Sequence, residues 1–132
     1  MPVTVPRSEA PVLALVERWV SLLVERRYED ALVLLVPNAD WTAALLEKVI
    51  ANYGFVEPRS DGRTFFVTPI ASALGSGPRA SVTWYESARE NVVGDVCFDL
   101  PLDGEWSDVT ATFDIVAVGE GVALELDDVH VL

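Results

Sequence analysis

Three runs between Val92 and Val131 decide the fold. They are Val92-Val93-Gly94-Asp95-Val96-Cys97-Phe98-Asp99-Leu100, then Asp108-Val109-Thr110-Ala111-Thr112-Phe113-Asp114-Ile115-Val116-Ala117-Val118, then Val122-Ala123-Leu124-Glu125-Leu126-Asp127-Asp128-Val129-His130-Val131. Apolar and polar residues alternate along them, the period-2 pattern of strands with one buried face. Asp103-Gly104 and Glu120-Gly121 separate the runs and are hairpin-turn candidates, Asp-Gly being the stronger signal. A two-residue hairpin closed on Asp103-Gly104 sets Phe98 opposite Val109 and Val96 opposite Ala111 on the core face. On the other face it sets Asp99 opposite Asp108 and Cys97 opposite Thr110. A second hairpin closed on Glu120-Gly121 sets Ile115 against Leu126 inside. It sets Asp114 against Asp127 outside, with Glu125 opposite Val116. Past Leu126 the alternation slips, and a bulge near Asp127-Asp128 would return Val129 and Val131 to the core.

Outward from this core the chain reads as further strands at Thr64–Thr68 and Ala80–Glu86, with Gly75-Ser76-Gly77-Pro78 as a loop. Upstream the period becomes helical. Val12, Val16, Trp19, Val20 and Leu23 share a stripe that predicts a helix over about 9–26, with Ser8 as N-cap. A short helix over about 28–35 turns Tyr28, Leu32 and Leu35 inward and stops at Pro37. A third, capped by Asp40, faces Trp41, Leu45, Val49 and Ile50 to the core. Gly54 sits where a left-handed cap is expected. Helices followed by a meander of strands mean α+β: three N-terminal helices packed on a curved antiparallel sheet of about five strands. The 132 residues fit a single domain over 1–132.

Charge is the second strong signal. Asp and Glu total 21 against 9 Lys and Arg, a net charge of −12. That balance argues against nucleic acid and against an anionic membrane surface as partners, since both recruit cations. The imbalance is also localised. Residues 90–132 carry 11 acidic residues and no Lys or Arg, whereas all 9 basic residues and 10 acidic ones lie in 1–89. The two registers above put Asp99, Asp108, Asp114, Glu125 and Asp127 on one outer surface, flanked by Trp106 and Tyr85. Such a face would steer a basic partner.

Other chemistry fits less well. Paired carboxylates suit Ca²⁺ or Mg²⁺, but Asp103 to Asp108 lacks the spacing of a calcium loop, and no metal or other cofactor is expected. The single His130 excludes a multi-His metal site, and the single Cys97 excludes an internal disulfide. Asp128 and His130 share a side of a regular strand, the pairing of general-base chemistry, yet no nucleophile motif accompanies them. Cys97 among carboxylates has its thiolate suppressed. The aromatics Trp19, Tyr28, Trp41, Tyr53, Phe65, Trp84 and Phe113 would line a pocket or, more simply, fill the core. The apolar stretch Pro11 to Val24 is broken by Glu17 and Arg18 and reads neither as a signal peptide nor as a membrane span. A cytoplasmic location is the expectation.

The stretches Trp106-Ser107-Asp108-Val109-Thr110 and Leu126-Asp127-Asp128-Val129-His130-Val131-Leu132 resemble a family of small uncharacterised bacterial domains. Its members carry a Ser-Asp-Leu-Thr strand and a terminal Asp-Asp-Ile-His-Val. Tyr28-Glu29 and Tyr53-Gly54 look like the N-terminal half of that family, so the resemblance covers most of the chain. Pro101 stands where the family tends to have an aromatic, in a short loop before Ser107. The resemblance implies no activity. More loosely, the order of elements is similar to the nuclear-transport-factor-2-like cone, which hosts ketosteroid-isomerase-type enzymes and non-catalytic binding modules alike. That likeness implies a pocket in which Asp128 with Tyr28 or Tyr53, and His130 nearby, would be the polar groups.

Three readings follow. The first is a non-enzymatic acidic module docking a basic protein partner, as immunity proteins hold cationic toxins. The second is a small-molecule-binding or isomerase-like pocket. The third is a homodimeric scaffold.

Overall fold

The computed structural model describes residues 2–75 and 80–131. In chain order these form helices α1 (Glu9–Val24), α2 (Tyr28–Val33) and α3 (Ala43–Ala51), then a 3-10 turn (Ile70–Ser72). Strands β1 (Ala80–Arg89), β2 (Val92–Leu102), β3 (Glu105–Val118) and β4 (Gly121–Val131) follow. The strands make an antiparallel meander in the order β1-β2-β3-β4. The α+β reading stands. The expected fifth strand does not: within 64–68, Val67 makes one isolated bridge to Leu102 and the segment goes no further. The described sheet is thus four-stranded and open, rather than a five-stranded cone. Most of the loop expected at 75–78 lies outside the described residues.

The helices cover one face of the sheet. Val12, Val16, Trp19, Val20 and Leu23 of α1 are fully buried, as their spacing predicts, with Val96, Phe113, Ile115, Leu124 and Leu126 of the sheet. Trp19 meets Phe113 edge-to-face at 5.0 Å between ring centroids, joining α1 to β3. Tyr28 and Phe65 are also buried, while Trp41, Tyr53 and Trp84 are half-buried at the margin of the core. Thr42 rather than Asp40 caps α3, its hydroxyl accepting the amide hydrogen of Leu45.

Both long helices end in the same way. The Arg26 and Arg27 amides donate to Leu23 and Leu22, and the Tyr53 and Gly54 amides donate to Ile50 and Val49. These are Schellman closures in which the first left-handed position belongs to Arg26 (φ 59°) and Tyr53 (φ 58°); Gly54 follows Tyr53 and is left-handed too (φ 87°), as expected. Stacking compensates. The Arg26 guanidinium lies 4.0 Å from the Phe66 ring centroid, and Tyr53 packs edge-on against Phe65.

The turns set the register. Asp103-Gly104 has positive φ at both positions, as a type I′ turn requires, and Leu102 opposite Glu105 closes it as expected. A bulge between Asp99 and Pro101 then shifts the pairing by two residues. Phe98 faces Ala111, Val96 faces Phe113, Cys97 faces Thr112 and Asp99 faces Thr110. The last hairpin turns on Gly119-Glu120, one position earlier than expected, with positive φ at Gly119 only. Ile115 therefore faces Leu124, and Asp114 faces Glu125. The expected pairs Asp99–Asp108 and Asp114–Asp127 are corrected accordingly, as is Glu125 opposite Val116. Both shifts are even numbers of residues, so the side chains of residues 95–99, 110–115 and 124–126 keep their faces. The bulge at Asp127 is present: Leu126 pairs with Phe113 and Asp128 with Thr112, leaving Asp127 extra and returning Val129 to the core.

Candidate functional site: an acidic row on the outer sheet face

The face away from the helices carries the site. Thr83 on β1 pairs with Asp95 on β2, Asp95 with Asp114 on β3, and Asp114 with Glu125 on β4. Three carboxylates thus stand side by side across neighbouring strands, where side chains approach within about 4.5–5.5 Å at Cβ. Asp127 joins them, its carboxylate accepting a 3.2 Å hydrogen bond from the Thr112 hydroxyl. Asp95 accepts a 2.7 Å bond from the Tyr85 hydroxyl. Lower on the same face, the buried Asp99 accepts a 2.8 Å bond from the buried Thr110 hydroxyl.

Crowding shows in the protonation behaviour. Burial, then the charges of Asp127 and Asp95, push the Asp114 carboxyl above its ordinary value. Burial, then Asp114, Asp127 and Asp40, do the same to Glu125. Cys97, in the middle of the face, has its thiol raised by burial first and then mainly by Asp95, which leaves it a poor nucleophile. The Tyr85 hydroxyl is pushed up to about 12, chiefly by its bond to Asp95. Among the described residues, Asp95, Asp114, Glu125 and Asp127 make no ion pair with Lys or Arg. Arg89 shares with Tyr85, Glu86, Glu90, Val92 and Asp114 an open basin of about 800 Å³ at the turn end of β1, without an ion pair to them.

The remaining sequence candidates lie elsewhere. Asp108 belongs to the bulged stretch of β3, and its carboxylate accepts a 2.5 Å bond from the Tyr53 hydroxyl. Trp106 turns to the core side and packs edge-on against Phe98. Asp128 is exposed, and its Oδ2 lies 3.1 Å from His130 Nδ1, without the alignment of a hydrogen bond. Tyr53-Gly54 packs close to His130, the position of a Cβ on Gly54 falling 3.2 Å from His130 Cα. Tyr28 is apart from them, in the field of Glu47 and Arg26. Asp128 thus has His130 beside it, but neither Tyr28 nor Tyr53 bonds to it. No group of described His, Cys, Asp and Glu side chains is arranged to hold a metal ion.

Sequence reasoning missed Asp95 and Asp40. Asp95 shares the parity of Cys97 and Asp99 along β2, which was the available signal; the two-residue shift hid its partner. Asp40, in the loop before α3, adds its charge to the field at Glu125, and nothing local in the sequence marks that. Comparison with known proteins finds no matching family model, no matching curated protein and no matching solved structure. No helix among the described residues is long and apolar enough to cross a membrane.

Proposed function

We propose that this protein is a non-enzymatic binding module whose outer sheet face docks a basic protein, as an immunity protein holds a cationic toxin. The observation that carries the reading is the row Asp95–Asp114–Glu125 with Asp127 beside it. Like charges directly opposite one another weaken a sheet. A lysine or arginine delivered by a partner turns that repulsion into attraction and speeds encounter by steering. The raised carboxyls of Asp114 and Glu125 mark where an incoming cation would gain most. In this reading the protein works in the reducing cytoplasm, where the Cys97 thiol stays free.

The test uses the neutral variant Asp95→Asn/Asp114→Asn/Glu125→Gln/Asp127→Asn, with circular dichroism to show that it folds. Wild-type protein immobilised at low salt should capture a basic protein from its native lysate and release it as ionic strength rises. The variant should fail to capture it. Equal capture by the two proteins, or capture indifferent to salt, would overturn the reading.

A further inference from the structure

The two edges of the sheet are treated differently. Along β4, the Val5 and Val36 amides donate to the Val122 and Leu124 carbonyls, and Val5 O accepts from the Val122 amide. The Asn38 side-chain amide donates to the Leu126 carbonyl at 3.0 Å, and the Trp41 indole donates to that of Asp127 at 3.3 Å. That edge is covered. Along β1, no described residue outside the sheet makes a backbone hydrogen bond to Ala80–Arg89. Its regular stretch, Ala80 to Trp84, pairs with Phe98 to Gly94 on one side and, among the described residues, with no strand on the other. An edge strand of this kind offers its outward amides and carbonyls to any extended chain that fits.

Charge selects the chain. The acidic row begins one strand in from this edge, and the β1 residues in front of it are the exposed, uncharged Ser81 and Thr83. A residue added opposite Thr83 would extend the line Thr83–Asp95–Asp114–Glu125. It would lie two strand spacings, about 10 Å, from β2. Lysine and arginine span much of that distance over the small Thr83 side chain and would meet Asp95. A second copy of this chain is a poor occupant, because it would bring another net charge of −12 to the same place.

We infer that the basic partner adds an extended segment to the β1 edge, by main-chain pairing with Ala80–Trp84, and lays its alternate lysine or arginine side chains over Ser81 and Thr83 toward Asp95. The mode is strand addition: main-chain bonds supply affinity and alternate side chains supply selection. It rests on the acidic-face reading above and makes it specific.

Two synthetic nine-residue probes separate the ideas. One alternates lysine with threonine and valine. The other has the same sequence and charge with alternate backbone amides N-methylated, in versions that block either edge. The first probe should bind at low salt and slow hydrogen exchange of outward-facing β1 amides between Ser81 and Trp84. At least one N-methylated version should bind at least tenfold more weakly. Equal binding of all probes, with no protection in β1, would overturn strand addition and leave the acidic-face reading standing. Failure of every probe to bind at low salt would overturn both. Loss of binding in Asp95→Asn/Asp114→Asn, with β1 protection seen only in the wild type, would support both.

Discussion

Asp95 and Asp114 occupy directly opposed positions on β2 and β3, and Glu125 opposes Asp114 from β4, so one carboxylate is flanked by two others across the sheet. Asp114 itself receives no hydrogen bond from a described side chain, whereas Asp95 and Asp127 are each held by a hydroxyl. The centre of the row therefore bears the strain.

Replacing that central carboxylate should stabilise the fold. Asp114→Asn removes two like-charge neighbours at once and should raise stability at pH 7 by about 0.2–1 kcal/mol. Because the folded Asp114 carboxyl titrates above its unfolded value, the folded state holds its proton longer. Stability from this group is therefore present below the unfolded value of 3.8 and lost as pH rises through the folded one. Urea melts at several pH values should show the wild type losing ground to the variant over that window. Added salt should narrow the gap at neutral pH. A variant less stable than wild type at pH 7 and low salt would contradict the placement.

Alkaline titration reads the same face from its other side. Tyr28, Tyr53 and Tyr85 all have hydroxyls raised above 10.0, with Tyr85 at about 12. Ultraviolet titration of phenolate should show no tyrosine ionising with an ordinary midpoint, and Tyr85→Phe should remove the highest step. Stability should fall as pH climbs from 10 toward 12, since the unfolded chain ionises its tyrosines first. A tyrosine step near 10 that disappears in Tyr85→Phe would break the assigned bond to Asp95.

Gly94 holds β1 against β2 by lacking a side chain. A Cβ there would lie 2.3 Å from the Thr83 carbonyl oxygen, a backbone atom with no room to yield. Gly94→Ala should cost about 1–3 kcal/mol through overpacking. Hydrogen exchange should show protection lost first in β1. A variant with unchanged stability would place Thr83 elsewhere.

The Tyr53–Asp108 bond ties the end of α3 to β3 and takes Asp108 out of the acidic row. Tyr53→Phe should destabilise by about 1 kcal/mol, the scale of one hydrogen bond. Asp108→Asn should leave binding of a basic probe unchanged, in contrast to Asp114→Asn. Equal loss of binding in both would mean that the docking face reaches farther toward α3 than the structure shows.

Some of the site is legible in the strand alternation alone. The alternation through Val96, Phe98, Ala111, Phe113, Ile115, Leu124 and Leu126 separates inside from outside, and the buried set agrees with it. The parity slip at Asp127-Asp128 announced a bulge, and it is there. Legibility ended at the direct pairs. Turn positions alone predict Asp99–Asp108 and Asp114–Asp127; the bulge between Asp99 and Pro101 moves the first pair and the earlier turn at Gly119-Glu120 moves the second, and neither changes a strand's own pattern. Likewise, Arg26 and Tyr53 hold left-handed backbone that neither residue type advertises, because Phe66 and Phe65 arrive from a distant loop to stack on them.

By itself, then, the sequence determined the α+β class, the faces of the strands and the confinement of acidic excess to the last third of the chain. These follow from local periods and composition, which each residue carries wherever it goes. Tertiary structure decided which carboxylates are neighbours, that 64–68 yields a bridge instead of a strand, and that only the β4 edge is covered by described residues. Those outcomes depend on register and on contacts between segments far apart in the chain. A shift of two residues leaves every face intact while exchanging every partner.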